Sequence, residues 1–153
     1  MLLPHLLMRN RIWRECSLRV FTAASTRKLK SNEVRMASLL KKFRIDVSAV
    51  IEVTGINTRP SSESIKKFKE MPSGEDSADA EFLDKKTLRQ IRLAELLQEH
   101  SSESKLVVLT LPIPRKSAVT PLLFMAWLDT LSAHLPPVLF VRGNQASVLT
   151  FYS

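Results

Sequence analysis

Apolar residues change their spacing several times along the chain, and each change marks an element. Met36, Leu39, Leu40 and Phe43 recur at i, i+3, i+4 and i+7, the spacing of one helical face. Arg35, Lys41 and Lys42 fall largely away from that face, and Ser31 stands ahead of it as an N-cap. Residues 18–22 read as a buried strand before this helix, and 49–53, short, β-branched and closed by Gly55, as a strand after it. Strand, helix, strand is a βαβ unit, which predicts parallel strands and a right-handed crossover.

From Asn57 to Asp84 the pattern dissolves into Ser, Pro, Lys and acid, with mainly Ile65, Phe68, Met71 and Phe82 able to pack. A short helix over 62–70 and a mobile loop near 72–83 are expected there. Asp84 caps a further helix running to about His100. Leu93, Leu96, Leu97 and His100 share one of its faces and Ile91 lies opposite, so it should meet two neighbours. Residues 105–111 are almost continuously apolar, as expected of a third strand of the main sheet covered on both faces.

Thr120-Pro121 opens the last helix in the favoured order of cap then proline. Its apolar residues are too dense for a surface helix, and Pro136-Pro137 stops the pattern. Residues 138–141 and 147–152 follow as β-branched and aromatic strands around the turn signal Arg142-Gly143-Asn144. The fold class is α/β, a mostly parallel sheet with helices on both faces.

At 153 residues and 44% hydrophobic content, one domain with a real core is the default. No apolar stretch approaches the roughly 18 residues of a membrane-spanning helix. Cys16 is alone, which excludes an internal disulfide, and no Cys/His spacing suits zinc. The formal charge of +8 lies entirely before residue 47, where eleven Lys/Arg face Glu15, Glu33 and Asp46. Such an arm suits nucleic acid, anionic lipid or an acidic partner, yet its cations are scattered through patterned elements, as on a solvated face. The apolar start followed by Arg9, Arg11 and Arg14 has the look of a mitochondrial targeting segment; Trp13, Leu18, Val20 and Phe21, however, carry the apolar pattern onward as folded structure.

Catalytic constellations are missing from the sequence. His5, His100 and His134 are separated and lack a patterned carboxylate, so no enzyme activity, metal or cofactor is expected. Arg142-Gly143-Asn144 sits where α/β sheets hold phosphates, but a single glycine with neither nucleotide fingerprint is a weak signal. Arg115-Lys116 and the cluster Lys66, Lys67 and Lys69 suit phosphate or acidic lipid. Without aromatic interleaving, nucleic-acid binding is not expected. Ser61, Ser62, Ser64, Ser73 and Ser77 are open to phosphorylation in principle. Asp129 on an apolar helix must face solvent, meet a cation such as Arg142, or lie at an interface.

Longer motifs carry a resemblance. Met125-Ala126-Trp127-Leu128, Leu135-Pro136-Pro137, Val141-Arg142-Gly143-Asn144 and the closing Val148-Leu149-Thr150-Phe151-Tyr152 resemble the C-terminus of the cation-chloride cotransporters, in their sodium-dependent branch (Na-K-Cl and Na-Cl). Upstream matches include Arg19-Val20-Phe21, Ile56-Asn57, Glu95-Leu96-Leu97 and Leu111-Pro112-Ile113, so the likeness spans nearly the whole chain in order. It implies a universal-stress/Rossmann-like fold, incomplete relative to the family's domain, in which 1–153 is part of a C-terminal regulatory domain on the cytoplasmic face of a membrane. It also implies a full-length carrier of chloride with sodium and potassium, homodimeric through such domains and regulated by phosphorylation. Contact with anionic lipid is a further expectation.

The family's longer acidic insertion is shortened here, and Thr22-Ala23-Ala24 stands where the family has Gly-Gly, which counts against ligand approach at that turn. Trp127, Leu128, Phe140, Phe151 and Tyr152 are expected to build the closing layer. Arg115, Trp127, Asp129 and Arg142 are the candidate interface residues. The alternatives are a stand-alone nucleotide- or anion-binding α/β protein and a basic nucleic-acid or mitochondrial protein.

Overall fold

The computed structural model describes residues 2–23, 29–71, 83–114 and 119–143, with backbone alone at 29–33. The chain divides into two compact units, one holding 1–55 together with the residues from 143 onward, the other Ile56–Arg142.

The first unit opens with helix α1 (Leu2–Met8) and a 3-10 turn (Arg11–Trp13). Asn10 caps that turn, its Oδ1 accepting the Ile12 N–H at 3.0 Å. Strand β1 (Arg19–Ala23), helix α2 (Leu29–Lys42) and strand β2 (Ala49–Val53) follow. The two strands run parallel with Arg19 opposite Ala49 and Ala23 opposite Val53, as the βαβ pattern predicts. Ser48 donates both its N–H and its hydroxyl to the Leu18 carbonyl, at 2.8 and 2.9 Å, and so fixes where the pair begins. Val20, Leu40 and Ile45 form the core, with Leu18, Met36, Phe43, Val47 and Val50 packed against it.

Two expectations for α2 are corrected. The helix begins at Leu29, so Ser31 lies inside its first turn and not at its cap. Leu39 is 47% exposed whereas Leu40 is 1%, so the buried stripe is Met36, Leu40 and Phe43, one residue in three or four, with Leu39 beside it.

The C-terminus of α2 closes by a Schellman motif. Ile45 N–H donates to the Leu40 carbonyl and Arg44 N–H to Lys41, both at 3.0 Å, the two reversed bonds that satisfy the last carbonyls. Leu40 and Ile45 are buried together, the apolar contact this motif favours. Its left-handed position, normally glycine, is Arg44 at φ 53°.

The second unit contains α3 (Ser62–Lys69), α4 (Lys85–Ser101), β3 (Val107–Thr110), α5 (Pro121–Ser132) and β4 (Val138–Val141). Each helix has the cap its sequence offers. Ser61, Asp84 and Thr120 accept the N–H of Ser64, Thr87 and Leu123. Strands β3 and β4 pair in parallel from Val107 opposite Val138 to Thr110 opposite Val141. The described strands thus form two two-stranded sheets, β1-β2 and β3-β4, not the single main sheet expected of β3.

Helix α4 packs against both α3 and α5. The core between them is Phe68, Ile91, Leu123, Ala126 and Trp127. Ile91 is 1% exposed, so the residue assigned to the opposite face sits in the main core, with Thr87 and Ala94 along the same stripe. The expected loop over 72–82 and the closing strand at 147–152 lie outside the described residues. No helix among the described residues is long and apolar enough to cross a membrane.

Candidate functional site

The second unit carries a groove of about 640 Å³. Three segments build it: the stretch after β2 from Ile56 to Arg59, one side of α3, and the start of α4. Ile56, Ile65, Leu83 and Leu88 give it apolar walls, and Arg59, Lys69, Lys85, Lys86 and Arg89 give it five cations. Among the described residues, no acid and no aromatic ring lines it. The nearest acid in sequence, Asp84, is occupied as the cap of α4, its Oδ1 accepting the Thr87 N–H at 2.7 Å.

Lys85 and Lys86 occupy the first turn of α4, which has no acidic residue. That is the positive end of the helix dipole, where carboxylates stabilise and lysines oppose the field. Two lysines there work against the helix, in a groove that already holds Arg59, Lys69 and Arg89.

The α3 wall is fixed from α4. The Ser61 N–H donates to Glu95 Oε1 at 2.8 Å, and Arg92 Nη1 reaches Glu95 Oε2 at 2.6 Å. A capping box would use an acid at position 64 for the first of these bonds; Ser64 stands there, and Glu95 supplies the carboxylate from the neighbouring helix. Burial by itself raises the Glu95 carboxyl, but the Arg92 guanidinium, the Ser61 N–H and the Ser64 and Ser61 hydroxyls outweigh it and hold it lowered to about 2. On the outer side of α3, Lys67 and Glu63 pair at 2.8 Å while both remain exposed. The pair lowers the Glu63 carboxyl and raises the Lys67 ammonium through their mutual hydrogen bond and charge.

The residues singled out from sequence are dispersed. Trp127 is 2% exposed, and its Nε1 donates to the buried Thr87 Oγ1 at 3.1 Å, so it is a core residue and not a surface contact. Asp129 and Arg142 are exposed, and Arg115 lies outside the described residues. A Cβ built on Gly143 meets nothing within 4 Å among the described residues. Thr22 lies in β1 as the strand reading has it, Ala23 extends that strand by one residue, and Ala24 lies outside the described residues. Thr22 Oγ1 and Glu52 Oε1, at opposed positions of β1 and β2, are buried without a hydrogen-bond partner among the described residues.

Of the lysine cluster, Lys69 alone lines the groove. Arg59, Lys85, Lys86 and Arg89 were not legible as a group, because 26 positions separate Arg59 from Lys85 and only the fold joins them. The available signal was a lysine pair placed directly after a helix cap.

The family model described as Solute carrier family 12 matches residues 1–153. The chain is 43% identical to Solute carrier family 12 member 2 of Danio rerio, with 100% of this chain and 16% of that protein covered. It is 42% identical to the Homo sapiens member 2 and 40% identical to the Homo sapiens member 1, again over 100% of this chain and over 14% and 16% of those proteins. The chain therefore spans about one sixth of the length of these relatives. Each alignment runs over 176 positions, more than the 153 residues of this chain, so the relatives carry residues here that it lacks. A match along the full chain at these identities places it: the chain belongs to solute carrier family 12, the cation-chloride cotransporters.

Proposed function

We propose that the chain is the C-terminal regulatory and dimerisation region of a sodium-dependent cation-chloride cotransporter, acting at the cytoplasmic face of the membrane. The observation that carries this reading is the family match along all of residues 1–153 over a small share of the relatives' length, in a chain whose described helices are too short or too polar to span a bilayer. The full-length protein would couple chloride to sodium and potassium, and this chain alone would move no ions. Its contribution is contact, not chemistry: no catalytic residue, metal or cofactor is assigned to it. Members 1 and 2 are both near relatives, which supports the sodium-dependent branch. Homodimerisation uses exposed residues such as Asp129 and Arg142, and phosphorylation of the serines between Ser61 and Ser77 adjusts it.

The test is a chimera in which this chain replaces the matching region of human member 2, expressed in cells that lack the carrier. Sodium- and chloride-dependent rubidium uptake, with a dimer by crosslinking at the cell surface, is the expected result. A chimera that reaches the surface and transports as a monomer would refute the dimerisation role. Equal uptake with the region deleted would refute the regulatory one.

A further inference from the structure

Beyond any role in a carrier, we infer that the groove between α3 and the start of α4 binds the phosphorylated inositol headgroup of an anionic lipid. Three features select that chemistry. Five cations, with no acid among the described lining residues, match a ligand carrying several negative charges at once, not a single carboxylate. Apolar walls from Ile56, Ile65, Leu83 and Leu88 suit the glycerol and first acyl carbons beside such a headgroup, which a free polyphosphate would leave unused. None of the described lining residues is aromatic, so none of them offers the stacking platform that a nucleobase needs.

The placement of Lys85 and Lys86 is the second line of argument. Lysines in the first turn oppose the helix dipole, so folding alone gives no reason for them. An anion seated over the same turn reverses the account: the dipole and both ammonium groups then act on it together. Stability and binding should therefore respond in opposite senses when these side chains change.

The experiment uses the purified full chain and phosphatidylcholine vesicles containing phosphatidylinositol bisphosphate, with phosphatidylserine vesicles of equal total charge as the comparison. Flotation should recover the chain with the inositide vesicles far more than with the serine vesicles, and soluble inositol trisphosphate should compete. Removing Lys85, Lys86 and Arg89 together as alanines should weaken binding on the order of 100-fold, from roughly fivefold per basic residue near an anionic surface. Lys85→Glu with Lys86→Glu should abolish binding and raise the melting temperature, which separates loss of the site from loss of the fold.

Equal retention on both vesicle types would overturn the inference, since bulk charge would then suffice. So would loss of binding in Arg9→Ala/Arg11→Ala/Arg14→Ala, which would move the contact to the basic arm of the first unit. Binding of inositol trisphosphate without vesicle binding would reassign the groove to a free phosphate and overturn the lipid source. Competition by polyglutamate as strong as by inositol trisphosphate would reassign it to an acidic peptide.

Discussion

Trp127 and Thr87 form the most sharply testable contact in the chain. Both are 2% exposed, and the indole N–H donates to the threonine hydroxyl at 3.1 Å across two packed helices. Trp127→Ala removes the largest side chain of the second core and should cost roughly 3–5 kcal/mol, enough to unfold a marginal unit. Two milder changes isolate the hydrogen bond. Thr87→Val keeps the volume but strands the indole N–H in an apolar core, at about 1–3 kcal/mol. Trp127→Phe strands the threonine hydroxyl and leaves a small void, at a similar cost. In the double variant neither polar group remains unpaired, so its loss should fall short of the sum by about 1–2 kcal/mol. Urea unfolding followed by far-ultraviolet circular dichroism measures all four proteins, since the signal survives removal of the tryptophan. Strict additivity would mean that the bond contributes nothing, and an unchanged midpoint for Trp127→Ala would mean that the indole is not core.

Glu95 sets an acid limit. Its carboxyl is held near 2 against an ordinary 4.5, so the stabilisation it gives is complete above about pH 4.5 and is lost as the pH falls toward 2. The amount at neutral pH is at most about 3 kcal/mol, reduced by solvent screening of the partly exposed pair. The stability difference between the wild type and Glu95→Gln should therefore shrink across that window; a difference that stays constant with pH would refute the assignment. Arg44→Gly relieves the left-handed strain at the end of α2 and should raise stability by about 0.5–1 kcal/mol, and a lower melting temperature would show that the arginine side chain makes a contact of greater worth. Lys67→Ala breaks only an exposed pair and should leave the urea midpoint unchanged.

Local chemistry was readable from the sequence and long-range pairing was not. The β-branched runs at Ala49–Val53 and Val138–Val141 became strands with those bounds, and Asp84 and Thr120-Pro121 became caps, because a cap is decided within four residues. Which strand each run would meet is decided by closure of the chain, and the expected single sheet became two pairs. Ile91, set opposite the leucine stripe so that the helix would meet two neighbours, is buried in the core of a helix packed on both α3 and α5. The bond from Glu95 to Ser61 spans 34 positions, yet it left a trace: Ser61-Ser62-Glu63-Ser64 opens like a capping box without its final acid, so the first N–H had to find a partner elsewhere. The groove left less, since its cations come from segments that only folding brings together.

Helix α3 has eight residues, fewer than an isolated helix sustains in water. The carboxylate that fastens its first turn belongs to α4, so α3 is a dependent element: it should form after α4 during folding and be the earlier to exchange its amide hydrogens. Since Ile65 and Lys69 stand on it, neutralising one carboxylate outside the groove would loosen a whole bank of it. A change of proton at Glu95 would then be felt as a change of shape among lysines and arginines that never touch it.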